Sequence, residues 1–202
     1  AVVREAATQE IVRRYYHTWC ECRMGREEPD TAHRIETLLS QLDADAEKVR
    51  RVVLPAKRKA EESGSAAMAI ELPDGTIVTG RSQHLMDAAS SVIINAIKTL
   101  AGISDEVHLI SPVILEPILK MKREMLGRRN PTLNLEEVLI ALSICAATNP
   151  TAELALSKLI HLKNCEAHTS YIISESDAGI LRRLGLNVTS EPVFETNALF
   201  HD

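Results

Sequence analysis

The stretch from Ala66 to Ala101 constrains this chain most. "AAMAIEL" and "TIVTG" flank Pro73-Asp74-Gly75, and two short apolar runs about such a turn read as a β-hairpin. A second pattern follows at once. Leu85, Ala88, Ala89, Val92, Ile93, Ala96, Ile97 and Leu100 recur at helical spacing and leave little polar circumference. A helix of that kind must be buried on more than one side. A hairpin followed by such a helix calls for a layered α/β fold, because neither a bundle surface nor a sheet edge could cover it.

The rest of the chain divides around this unit. Residues 5–24 carry Ile11, Tyr15 and Trp19 at helical spacing, with Val12 and Tyr16 beside them. That stripe either packs on the next helix or docks a partner. Gly25 to Pro29 breaks the helix, and Asp30 can cap the next one. Helical, charge-rich material continues to Gly64 with an interruption near Pro55. The composition shifts after "EESGS", so the expected organisation is a helical segment over 1–64 and an α/β domain over 65–202.

Within the second part, "EVHLIS" (106–111) reads as a strand, and Ser111-Pro112 starts a helix running to about Leu126. Asn134 caps a helix over 135–147, and Asn149-Pro150 opens another to about Leu162. "EAHTSYIIS" then reads as a strand, followed by a helix in which Ser174 and Asp177 have capping-box spacing. "NVTSEPVF" closes as a strand, with Pro192 suited to an edge. Strands alternating with helices predict a three-layer α/β domain with a mixed sheet.

Several chemistries are absent. A net charge of -5 argues against a general nucleic-acid binder, and six aromatics are too few for base-stacking platforms. No apolar run reaches the ~18 residues of a membrane span. No signal-peptide pattern leads the chain, which begins without methionine and reads as a trimmed or fragmentary piece. Cys20, Cys22, Cys145 and Cys165 form no disulfide framework, so reduced thiols in the cytoplasm are expected.

The hairpin and buried helix share the look of a cytidine-deaminase-like architecture. That chemistry needs a His or Cys followed by Glu at the first helix, and P-C-x-x-C at the second. The first helix reads "DAASSVIINAIK" and the second "SPVILEPILK", with Val113 where the cysteine should stand. A zinc-free version is therefore expected, with no metal. None of the seven histidines has metal-ligand spacing with another. Cys165, Glu166 and His168 lie together, but alternation on a strand puts Glu166 and His168 on one face and Cys165 on the other.

Candidate ligand contacts come from helix starts and polar loops, which in α/β sheets gather beyond strand ends. Gly80 permits close backbone approach, and Arg81, Ser82 and Gln83 supply donors. Ser111 caps a helix at the same edge. Arg128, Arg129 and Asn130 follow a glycine in a segment, 120–130, with five positive charges against one negative, and could grip a phosphate or carboxylate. No nucleotide-binding glycine motif is present, so the cofactor stays unspecified. A module that only assembles subunits or domains remains the rival reading.

The strings "ELPDGTIVTG", "NAIKTLAGI", "LGRRNPTLNLEEVLIALSICAATNP" and "LKNCEAHTSYIISE" resemble the C-terminal part of the bacterial domain-of-unknown-function 1846 family. The resemblance covers nearly the whole chain. It implies that a larger, Rossmann-like N-terminal portion of the same protein precedes residue 1. It brings no reaction and no catalytic residues. A homo-oligomer is also expected.

Overall fold

The computed structural model describes residues 2–195. Helices α1 (Val2–Arg23) and α2 (Pro29–Gln41) pack on each other, followed by a short α3 (Ala46–Val49) and by α4 (Val53–Ser63). The hairpin strands are β1 (Ala67–Glu71) and β2 (Ile77–Arg81), and the buried helix is α5 (Ala88–Ala101). Then come α6 (Pro112–Glu124), α7 (Leu135–Ala146), α8 (Pro150–Ser157) with a 3-10 turn over Lys158–Leu162, β3 (Glu166–Thr169), α9 (Glu175–Arg183) and β4 (Asn187–Ser190).

The four strands make one mixed sheet, in the order β2-β1-β3-β4. Strand β1 is antiparallel to both neighbours, and β3 and β4 are parallel. The register places Ala69, Thr79, His168 and Thr189 on one face, and Met68, Gly80, Thr169 and Ser190 on the other. Helix α4 covers the first face through Val52 and Ala56 against Ala69, where small side chains let helix and strand lie close. Helix α5 covers the second, and Met68, Ile70, Val92, Ile93 and Ile97 join α7, α8 and α9 in the main core. Because β1 is buried on both faces, it reads as a continuous apolar run (Ala67–Ile70) rather than an alternating one.

The close fit between α5 and β2 depends on Gly80. A Cβ there would stand 2.3 Å from the main-chain nitrogen of Val92 and 2.7 Å from the carbonyl carbon of Ser91. The glycine thus admits a helix backbone to the strand. Asp87 starts α5 by accepting from the Ser90 N–H at 2.8 Å, and Gly102 ends it in the left-handed conformation. The helix begins three residues later than the Leu85 periodicity predicts. Met86 instead forms an isolated parallel bridge with Leu133.

Other boundaries also differ from expectation. Pro29 starts α2 at its first turn and Glu28 is its cap, so Asp30 lies inside the helix. Pro55 sits in the first turn of α4, where a missing N–H goes unused. The break in that region falls upstream, at Arg50. The predicted strand at 106–111 does not form: the segment is irregular, and Leu109 and Ile110 are buried in the main core as loop residues. Their apolar character reflects burial beneath α6, with no strand edge to pair against. The caps at Asn134 and Ser174 form as predicted, the first as a full capping box with Glu137.

Gly80→Ala is expected to destabilise the domain by about 1–3 kcal/mol or more, because the clash is with backbone. Gly179→Ala, in the middle of α9 with nothing within 4 Å of the added carbon, should stabilise by about 0.5–1 kcal/mol. Urea unfolding midpoints check both, and equal shifts in one direction would contradict this packing.

Candidate functional site

The proposed ligand contacts do not all gather in one place. Gly80 faces α5. Arg81 ends β2, exposed, in register with Ala67. The Ser82 hydroxyl donates to the Glu195 carboxylate at 3.0 Å, and its N–H donates to the Ala66 carbonyl at 2.7 Å. The Gln83 N–H closes a turn on the Met86 carbonyl, and the residue lines a cavity. Ser111 caps α6 without a side-chain bond, between Ile110 and Pro112, which line that cavity too. Arg128, Arg129 and Asn130 lie in the loop after α6, outside the lining. There Asn130 Oδ1 accepts from the Thr132 N–H and hydroxyl.

The cavity, about 270 Å³ and half open, runs along α5. Its walls are the 83–86 turn, the irregular segment 105–110 and the start of α6. Three α5 residues at helical spacing, Ser91, Asn95 and Lys98, supply its polar wall. The Asn95 side-chain amide donates to the Thr79 carbonyl at 2.9 Å, fixing α5 to the edge strand. Lys98, 5% exposed, donates from Nζ to the Asp105 carbonyl at 2.7 Å and so ties the irregular segment over the helix. Ser91 is 3% exposed, and its hydroxyl meets no hydrogen-bond partner among the described residues. Leu85, Ile94, Leu109 and Leu115 make the apolar remainder. This mixture of apolar wall and few polar groups is typical of small-molecule sites. The signal was present in the sequence: of the five polar residues in α5, three stand at i, i+4 and i+7 on one flank.

A denser polar centre lies on the opposite face of the sheet. Arg50, 1% exposed, donates to the Glu166 carboxylate and to the carbonyls of Ala167 (2.9 Å) and Asn187 (3.1 Å). Arg13 of α1 and the Asn187 amide also donate to Glu166, at 2.7 and 3.0 Å. Beside them, His168 Nδ1 bonds the Thr189 hydroxyl at 2.8 Å and Nε2 bonds Glu191 at 3.1 Å. The Tyr16 ring meets the imidazole edge-on at 4.8 Å between centroids. Burial pulls His168 below its ordinary pKa against the pull of Glu191.

These bonds fix α1 and the α3–α4 connection to β3 and β4. A wider depression of about 660 Å³ opens beside Arg50 and Glu166, but its basic groups are already paired: Arg50 with Glu166, Arg51 with Glu71, and Lys48 with Asp45. Cys165 lies apart from His168, its thiol donating to the His161 carbonyl at 3.7 Å. Burial raises that thiol's pKa, opposite to what a nucleophile needs. The smaller cavity along α5 is therefore the better candidate.

A family model described as the C-terminal domain of unknown function DUF1846 matches residues 48–200. The chain belongs to the DUF1846 family. A UPF0371 protein of Clostridium botulinum (strain Langeland) is 47% identical over 209 residues, covering all of this chain and 41% of the relative. A UPF0371 protein of Clostridium tetani is 44% identical over the same span. The chain thus spans about two-fifths of the length of the curated relatives it matches. Among the described residues of this DUF1846 domain, no helix is long and apolar enough to cross a membrane.

One carboxyl pair lies where α5, α7 and α9 begin. Asp177 accepts from the Leu135 N–H at 3.1 Å and from the Ser174 hydroxyl at 2.7 Å. Burial, reinforced by the nearby Asp177 carboxyl, pushes Asp87 up to about 7. The folded state therefore holds a proton that the unfolded chain releases near pH ~4. Between those values the folded state binds more protons, so stability falls as pH rises towards about 7.

Asp87→Asn keeps a good helix cap and cannot ionise. It is expected to remove most of that slope, a difference on the order of 2–4 kcal/mol between acid and neutral pH. Urea unfolding at about pH 5 and about pH 8 tests this; parallel pH profiles for wild type and variant would refute it.

Proposed function

We propose that this DUF1846 domain is a small-molecule-binding α/β module of a longer chain, and that the cavity along α5 is its site. The Ser91 hydroxyl carries the reading: it is buried, unpartnered and on the cavity wall. Leaving such a group unsatisfied costs about 1–3 kcal/mol, which a ligand's hydrogen bond would recover. The cavity lies just below the ~300–1,000 Å³ of drug-sized sites, which favours a small metabolite over a whole nucleotide.

Ligand-observed NMR with a library of small polar fragments tests the site. Fragments are expected to bind the wild type and to be lost in Ile94→Trp, which fills the cavity. Equal binding to both proteins would sink the assignment.

A competing reading, assembly with a second copy of the chain, draws on the outer ridge of α6. Val113 (77% exposed), Pro117, Met121 and Met125 (80% exposed) recur every four residues there, an apolar strip of the kind that marks contact surfaces. Light scattering should then show an oligomer that Met121→Lys with Met125→Lys converts to monomer; a monomeric wild type removes this reading. In a family-length chain, a Rossmann-like portion would stand beside the domain, in the cytoplasm. The relatives' greater length and four free thiols support this. Sequencing the family-length gene and fractionating cells that express it would check both points.

A further inference from the structure

The domain buries two lysines, and they are treated differently. Lys122, 8% exposed, donates to the Glu137 carboxylate at 2.6 Å and to the Thr132 carbonyl at 2.7 Å. Its charge is matched. Lys98, 5% exposed, donates to one main-chain carbonyl, that of Asp105, and no carboxylate among the described residues comes within ion-pair distance. A carbonyl satisfies one of three ammonium donors and none of the charge. Burying a cation without a counter-charge is strongly unfavourable. Lys98 also differs from Lys122 in lining the cavity, on the same helix face as the unpartnered Ser91 hydroxyl.

We propose that the cavity along α5 takes a small aliphatic monocarboxylate, with Lys98 as its counter-ion and Ser91 as a hydrogen-bond partner. The inference rests on the reading of this cavity as a ligand site. Three observations select the class. The cavity has the volume of roughly nine waters at ~30 Å³ each, which limits the ligand to about ten heavy atoms. Leu85, Ile94, Leu109 and Leu115 offer an apolar tail its contacts. Asp105 adds an exposed carboxylate to the rim, so, His108 aside, the lining opposes one lysine with one aspartate. A dianion such as phosphate or a dicarboxylate would bring a second charge that this lining repels.

The test titrates the protein with hexanoate, its uncharged isostere hexanamide, succinate and inorganic phosphate, followed by calorimetry and by amide chemical shifts of α5. Hexanoate is expected to bind at least about tenfold tighter than hexanamide, as a charge-assisted bond implies. Lys98→Met, which keeps the apolar stem, should erase that difference, and Ile94→Trp should abolish binding of both.

If hexanamide binds the wild type as well as hexanoate does, with both lost in Ile94→Trp, the cavity is a ligand site but the anion inference is wrong. If succinate or phosphate binds tighter than hexanoate, the monocarboxylate assignment is wrong. If Lys98→Met retains the preference for hexanoate, Lys98 is not the counter-ion. If no probe binds, the monocarboxylate inference fails; if the fragment library also fails, so does the ligand site itself.

Discussion

The contact between Gly80 and the backbone of Val92 sets the position of α5, and most of the second half of the domain is arranged around that helix. With no side chain on the strand at this point, the helix lies against β2 closely enough for Asn95 to reach the Thr79 carbonyl. Its far side then packs on α7 and α8. A helix covered on both sides can carry a polar residue where it finds a partner, as Ser90 does in the Leu133 carbonyl, or where the cover is thin. In this chain that place is the strip Ser91–Asn95–Lys98, beneath an irregular segment that Lys98 itself holds down through the Asp105 carbonyl. The cavity is thus a consequence of how the helix is buried: a rigid polar wall on one side and an irregular lid on the other.

The two faces of the sheet are held by different physics. On the α5 face the core is aliphatic and continuous, and burial of apolar area supplies the attraction. On the α1–α4 face an ionic cluster does much of the positioning. Desolvation works against Arg50, and its pKa is lowered accordingly. The Glu166 carboxylate and two carbonyls compensate, which is the condition under which a buried charge is tolerated. Such a cluster is demanding in geometry and so fixes α1 in one orientation over β3 and β4. It also explains why the larger depression beside it is the weaker site: its basic groups already have carboxylate partners.

Elements that depend on local chemistry were legible in the sequence. The turn at Pro73-Asp74-Gly75, the caps at Asn134 and Ser174, and the burial of α5 all follow from residue type and spacing. So did the α/β class with a mixed sheet, and the separation of Cys165 from His168. Features set by distant contacts were not legible. The apolar residues of 106–111 looked like a strand because composition reports burial and not the presence of a pairing edge. The break at Arg50 is invisible locally, since the arginine leaves the helix to bond Glu166 and two carbonyls more than a hundred residues away. In the proposed site, Gln83 and the Ser111 region were found because loops at strand ends are where ligands gather. Ser91, Asn95 and Lys98 were missed because a helix judged apolar on average hides a narrow polar strip.

The absence of a strand over 106–111 explains why the expected ligand contacts do not share one edge. The rule that ligands lie beyond strand carboxyl ends belongs to parallel sheets, whose strands all point one way. Here β2, β3 and β4 all run one way and β1 alone runs against them. The expected strand before Ser111 is absent, so Ser111 and the 128–130 loop follow no strand end and only the 81–83 segment does. What remains common to 83–86, 105–110 and the start of α6 is proximity to the β2 side of α5. The site is organised by a helix flank at a sheet edge. Any specificity of the proposed site would accordingly come from the side chains on that flank.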